Sequence, residues 1–393
     1  MHVPQPPKIP TLDHISPSVY EASLTCLAKA VWYAAAGKGV LPTHPAAILG
    51  TCFHSVLAAA NVGKLGRESE AARLSGRNLF DREAASNYRG SHPLLQAKFP
   101  NVERLPYYNL YRERAALYGS LVAAGRTLTE TSELRGVTAK ESQVETYLRS
   151  TDGLIVGRPD FLDRESGTVV DYKTGLIEGP NEVSEREARQ LRLYAYLAAE
   201  AGSPVSRGAI VRGDGRKAEI QMSEDEIDTE ASKAKTQLQA INTASSSDRT
   251  FDDLASPSAD NCSRCPCNVV CQRFWQNATP EWVSTCGLYV EGRVTRVTES
   301  AQAGFEAITL DMEVQRGTLS SALASVEQIP RAWLTIQDDR LPAVGDVVRI
   351  TDARHSRTEG DVGVVRVDKT LTAVWVATRT SPISASGHPP TVE

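Results

Sequence analysis

The stretch GRPDFLDRESGTVVDYKTG, residues 157–175, places the tightest local constraint on this chain. Two runs with the composition of strands, LIVGRPDFLD and GTVVDYKTG, flank the turn-like RESG, and together they predict an antiparallel hairpin. Pairing Asp163 with Thr168 across the loop carries the register back to Asp160 opposite Asp171. Directly opposed residues have Cβ atoms roughly 5 Å apart, and like charges there are destabilising. Because side chains alternate faces, Val169, Asp171 and Lys173 share a face with Asp160, while Val170 and Tyr172 take the other. Carboxylates held this close among valines need compensation. A divalent cation supplies it, since Mg²⁺ prefers oxygen ligands and is usually held by one or two carboxylates plus substrate phosphate. Lys173 then stands beside the attacking water, in an arrangement suited to phosphodiester hydrolysis. The bland alternative is a solvated hairpin face, and a D-x-K tripeptide alone does not argue against it.

The surrounding pattern is mixed α and β. Between Ser16 and Gly125 it is mostly helical: SPSVYEASLTCLAKAVWYAAAG, HPAAILGTCFHSVLAAANVG, ESEAARLSGRNLFDREAAS and YYNLYRERAALYGSLVAAG. The second helix is expected to open at Thr43 or His44 with Pro45 in its first turn. After the hairpin comes SEREARQLRLYAYLAAEAG, opened by Ser184 and Glu187 as a capping box. The strands SRGAIVRG and RKAEIQMS and the helix EDEIDTEASKAKTQLQAIN follow. Beyond Gly287 the runs LYVEGRVTRVT, FEAITLDMEVQ, RAWLTIQ, VGDVVRITDAR and LTAVWVAT predict a small closed barrel that looks like oligonucleotide/oligosaccharide-binding (OB) domains. The tail from residue 380 to 393 is expected to be disordered.

Here the residues carry a resemblance. GRPD followed by VVDYKTG resembles the PD-(D/E)xK nuclease superfamily, in particular its RecB-like branch, which includes AddB and the CRISPR-associated RecB-like exonucleases. That resemblance covers about residues 16–276 and implies an α/β restriction-endonuclease-like core in a domain of residues 1–276, with a large helical insertion at about 63–150; the OB-like β-barrel is expected separately at 285–379. It implies catalytic roles for Asp160, Asp171 and Lys173. The family's upstream histidine motif matches Gly50-Thr51-Cys52-Phe53-His54, so His54 is the implied third metal ligand beside Asp160 and Asp171, a set that suits Mg²⁺ or Mn²⁺. Its Q-x-x-x-Y motif matches Gln190 and Tyr194, which share a helical face and are implied to hold the DNA strand. Taken alone, a histidine such as His54 on an Ala/Leu helix is more often structural or merely exposed, and Tyr194 reads equally as an ordinary amphipathic-helix tyrosine.

Four of the seven cysteines crowd into NCSRCPCNVVC, which points to a metal site or cluster. SPSVYEASLTC resembles the family's N-terminal segment through Ser16, Ser18 and Cys26, although Leu27 stands where relatives usually carry proline. The resemblance therefore implies a 4Fe–4S iron–sulfur cluster on Cys26, Cys262, Cys265 and Cys271. A local zinc site made of Cys262, Cys265, Cys267 and Cys271 is the competing reading, which spacing leaves open.

These readings converge on a metal-dependent DNA nuclease, a single-strand-preferring exonuclease serving repair, recombination or defence, with DNA as the expected partner and a helicase or other protein subunits as candidate partners. The rival readings are a non-catalytic nucleic-acid-binding subunit with a relic core and a restriction-like endonuclease. The net charge of −5 gives no global basic signature, so DNA contacts have to be local. In the barrel, Trp333, Trp375, Arg293, Arg296 and Arg349 are candidates for base stacking and phosphate contact, with core packing or protein docking as the alternative. No G-x-x-x-x-G-K-[ST] loop occurs, so no P-loop motor is expected. No run approaches about 18 uninterrupted apolar residues, and the start MHVPQPPKIPTLDH lacks an apolar signal core, which together predict a cytoplasmic location without membrane contact.

Overall fold

The computed structural model describes residues 1–379 except 38, 67, 125–141, 145, 165, 176–181, 213–215, 303–304 and 338–339. The expected disordered tail lies outside the described residues. The chain divides into two compact units, one of Pro6–Pro257 with Cys265–Cys267, the other of Met1–Gln5, Ser258–Arg264 and Asn268–Glu393. Among the described residues, no helix is long and apolar enough to cross a membrane.

The first unit opens with α1 (Pro17–Ser23) and α2 (Leu27–Ala35), where the sequence pattern predicted one helix. The break has a local cause. The hydroxyls of Ser23 and Thr25 donate to the carbonyls of Tyr20 and Ala22, and Cys26 is extended (φ −159°, ψ 118°), so the helical ladder cannot run through it. The next helix, α3 (Pro45–Asn61), starts where the sequence placed it: His44 caps it through Nδ1, and Pro45 fills the first turn. After α4 (Ser69–Arg89) comes the short α5 (Pro93–Lys98), which the periodicity was too brief to announce, then α6 (Tyr108–Ala123).

Strands follow: β1 (Ser142–Val144), β2 (Leu148–Arg149), β3 (Val156–Gly157), β4 (Phe161–Asp163) and β5 (Thr168–Lys173). Then come α7 (Glu185–Glu200), β6 (Arg207–Arg212), β7 (Lys217–Gln221) and α8 (Glu224–Ser245), both helices opening with complete capping boxes. The main sheet runs β1-β4-β5-β6-β7, with β5 and β6 parallel and α7 as the crossover between them. Its hairpin has the expected register, Asp163 opposite Thr168 and Phe161 opposite Val170. One face of β5 and β6 offers Tyr172 and Val211 to an apolar core that includes Leu49, Phe53, Phe80 and Tyr111 from the helices. Asp171 and Lys173 therefore leave the opposite face.

The second unit contains α9 (Ala259–Cys262), α10 (Gln272–Asn277) and α11 (Val283–Cys286), followed by β8 (Leu288–Gln302), β9 (Phe305–Gly317) and β10 (Leu323–Pro330). It continues with α12 (Arg331–Leu334), β11 (Val347–Glu359), β12 (Val362–Arg366) and β13 (Ala373–Thr378). Strands β8, β9, β10, β12 and β11 pair in a closed ring, with β10 and β12 parallel and α12 between β10 and β11. This closed five-stranded barrel is consistent with an OB-like barrel. Two expected strands are corrected. RAWLTIQ contains a helical turn, while the third and fifth barrel strands are LASVEQIP and VGVVR; LTAVWVAT adds to β11 outside the ring. The alternation in LASVEQIP is short: it holds from Ala324 to Glu327 and breaks at Gln328, where a positive φ (56°) and a register shift between Val326 and Ile329 mark an irregularity in the strand.

Three of the five candidate nucleic-acid contacts in the barrel are corrected as well. Trp333 and Trp375 are buried, so their faces are committed to the core. Arg349 is buried too, donating to Glu291 Oε2 at 2.7 Å, Val269 O at 2.6 Å and Gln272 Oε1 at 3.1 Å, with its guanidinium over the Trp275 ring. Arg293 and Arg296 are exposed, but Arg296 is paired with Asp311 at 2.6 Å. The Arg349–Glu291 pair, with side chains only 3% and 5% exposed, is a structural tie inside this unit. Without Arg349, Glu291 keeps only Arg316 at 3.3 Å, so Arg349→Leu is expected to lower stability by about 3 kcal/mol, the low end for a broken buried pair, read as a reduced urea midpoint.

Candidate active site

The hairpin ladder stops one residue short of the two opposed aspartates. Beyond the Phe161–Val170 pair, Asp160 turns its carboxylate inward, and Oδ2 accepts from the backbone N–H of Tyr172 at 2.7 Å. Its Oδ1 lies 3.1 Å from His54 Nδ1. His54 reaches this point because α3 approaches the end of β5 closely: a Cβ on Gly50 would stand 2.9 Å from Thr174 Oγ1. Glycine thus sets the helix height one turn before His54.

Asp171 is answered from the other side. Its Oδ1 accepts from Gln190 Nε2 at 2.8 Å, and Lys173 Nζ lies 2.6 Å from Oδ2. Oδ2 is buried, and the Lys173 ammonium is the group that meets it. Lys173 Nζ donates to Gln190 Oε1 at 2.9 Å, and Gln190 Nε2 also donates to Tyr194 OH at 3.1 Å. Gln190 and Tyr194 face the site together because they are four residues apart on α7.

The facing carboxylates therefore have separate partners, His54 and a backbone amide for Asp160, Lys173 and Gln190 for Asp171. The residual electrostatics still register their closeness. Burial pushes the Asp171 carboxyl up to about 6; Lys173 opposes this and the Asp160 charge adds to it. Burial alone would depress the His54 imidazole, but its hydrogen bond to Asp160 and the charges of Asp160 and Asp171 carry it above its ordinary value. Among the described residues, no group of three or more His, Cys, Asp or Glu side chains is gathered closely enough to hold a metal ion.

The structure thus joins His54 to Asp160, and Asp171 to Lys173, Gln190 and Tyr194, all at one end of the sheet. The cysteines fall elsewhere. Cys26 stands at the break between α1 and α2, where its Sγ accepts from Ser256 N at 3.5 Å. In the same unit the thiols of Cys265 and Cys267 touch at 3.3 Å, and this contact lowers Cys265 to about 7. In the second unit, Cys271 caps α10, its Sγ accepting from Phe274 N at 3.4 Å, and Cys262 closes α9.

The model of the PD-(D/E)XK nuclease superfamily matches residues 14–272, and the chain belongs to that superfamily. The match spans the whole sheet, the helices around it and the cysteine segment. No curated protein matches the chain.

Sequence reasoning did not single out Gly157, the first residue of GRPD. A Cβ there would stand 2.7 Å from Leu197 Cδ1 and 3.0 Å from Tyr194 Cε1, so a larger residue would push these α7 side chains aside. The signal was its place beside the Pro-Asp pair, but the reason needs the packed helix. Gly157→Ala is expected to cost about 1–3 kcal/mol by overpacking and to disturb Tyr194, measured as a lower urea midpoint.

A second expectation concerns pH. Folding raises the proton affinity of Asp171, so this group favours the folded state below its ordinary carboxylate value and loses that contribution as pH rises through about 6. Asparagine cannot ionise. In chelator, Asp171→Asn is therefore expected to be more stable than wild type at pH about 8, the gap closing toward pH about 4. Urea midpoints across that range check the sign; a gap widening on acidification contradicts it.

Proposed function

We propose that this chain is a divalent-metal-dependent deoxyribonuclease of the RecB-like branch, a single-strand-preferring exonuclease that works in DNA repair, recombination or defence against foreign DNA. The observation that carries the reading is the hydrogen-bonded set Asp171–Lys173–Gln190–Tyr194 beside the His54–Asp160 pair, within the region matched to the nuclease superfamily.

The residues suit a hard cation. Imidazole and two carboxylates are donors for Mg²⁺ or Mn²⁺, and the Asp171 carboxylate is buried with its Oδ2 facing the Lys173 ammonium. His54, Asp160 and Asp171, which the structure does not gather into one ligand group, are the residues this reading assigns to the ion. When bound, such an ion lowers the pKa of a water ligand and offsets charge on the scissile phosphate. The protein's own groups do the rest. Lys173 offers its ammonium to charge developing on the phosphate oxygens, Gln190 keeps Lys173 and Asp171 in register, and Tyr194 fixes Gln190 while flanking the strand.

The same reading assigns Cys26, Cys262, Cys265 and Cys271 to a 4Fe–4S cluster. It draws support from the spacing of Cys262, Cys265 and Cys271 and from the family resemblance of the segment that carries Cys26. The touching thiols of Cys265 and Cys267 favour a second reading, a zinc site that includes Cys267.

Asp171→Ala is expected to abolish Mg²⁺- or Mn²⁺-dependent cleavage of labelled single-stranded DNA, with an unchanged circular dichroism spectrum. Retained cleavage refutes the assignment. Protein purified without oxygen is expected to be brown and to lose that colour in Cys262→Ser; colourless protein containing stoichiometric zinc supports the second reading.

A further inference from the structure

We propose that Arg212 is a positioning residue for the candidate active site: its guanidinium clamps the first turn of α7 to the sheet and so fixes Gln190 between Asp171 and Lys173. The inference rests on the nuclease reading of that cluster.

Arg212 is the last residue of β6 and stands in parallel register beside Lys173. Paired residues on neighbouring strands leave the same face of a sheet, so Arg212 emerges next to the site lysine. From there its Nη1 donates to Glu187 Oε1 at 3.0 Å and its Nη2 to Glu187 Oε2 at 3.2 Å. Nη2 also donates to Glu182 O at 3.0 Å, which secures the chain as it enters the helix. Both side chains are mostly buried, at 11% and 12% exposure, and the paired contacts fix orientation as well as distance. Committed to Glu187, the guanidinium is turned toward the helix.

Glu187 is also half of the capping box, its Oε2 accepting from Ser184 N at 2.9 Å. One carboxylate thus joins the start of α7 to itself and to the strand beside Lys173. Gln190 follows three residues later and contacts both Asp171 and Lys173 within 2.9 Å. A helix free to slide by about 1 Å would lose those contacts, and misplacement of that size can reduce a rate by about a hundredfold.

The test compares Arg212→Met, Arg212→Lys and Glu187→Gln with wild type and Asp171→Ala on labelled single-stranded DNA, with thermal melts for each. Glu187→Gln keeps a capping side chain and serves if Arg212→Met fails to fold. Arg212→Met and Glu187→Gln are expected to lower kcat by roughly ten- to a hundredfold with KM nearly unchanged, and Arg212→Lys to recover part of it. A second readout does not involve turnover: in metal-free protein, the side-chain amide NMR signal of Gln190, assigned with Gln190→Ala, is expected to move in Arg212→Met. Wild-type kcat in Glu187→Gln overturns the proposal, as does a loss confined to KM, which would make Arg212 a phosphate contact. A lower melting temperature with an unmoved Gln190 signal also overturns it. If Asp171→Ala still cleaves, the nuclease reading falls first and this inference with it; if Asp171→Ala is inactive and the clamp variants are normal, only the clamp is wrong.

Discussion

Much of this molecule's first unit is arranged around one buried carboxylate. Asp171 sits on a strand whose other face is committed to an apolar core, so it cannot turn to water without unpacking Tyr172. Its charge has to be met in place. Lys173, two residues along the same face, and Gln190, from the helix that crosses over to the next strand, meet it. A buried carboxylate is expensive for folding even when it is paired, yet it is what a cation-binding site requires. Stability and site chemistry pull against each other at Asp171 Oδ2.

The neighbouring geometry serves that tension. Two glycines act as spacers at close helix–strand approaches, Gly50 under Thr174 and Gly157 under Tyr194, so that helices on both sides reach the strand ends. Helix α7 is tied through Arg212 to Glu187 near its start, and through Arg189 to Glu21 on α1. Side chains that approach the reacting centre are thus held by others that do not. The barrel follows a different logic. Its buried Arg349 and tryptophans work as packing and internal ties, and several surface arginines face carboxylates of the same unit, so stacking on these tryptophans is not its means of meeting a partner.

Much was legible from residues alone. The hairpin register followed from turn length and alternation, the starts of α3 and α7 from His44-Pro45 and Ser184/Glu187, and the barrel from its short strands. The split at Cys26 was hidden, because Ser and Thr hydroxyls broke a run whose apolar spacing still looked continuous. The strand LASVEQIP was hidden for the opposite reason: its alternation is cut short at Gln328, and its place comes from pairing with β9 and β12.

By itself, the sequence determined the residue types of the site, their order along the chain and the shared strand face of Asp171 and Lys173, because strand periodicity is a local property. Only the tertiary structure decided that Asp160 gives up its place in the ladder to accept the Tyr172 amide, and that Gln190 bridges Asp171 to Lys173. It also decided that the barrel's Arg349 turns inward. Those outcomes depend on which distant elements are packed against each face, and burial, unlike spacing, is not written in any short stretch of chain.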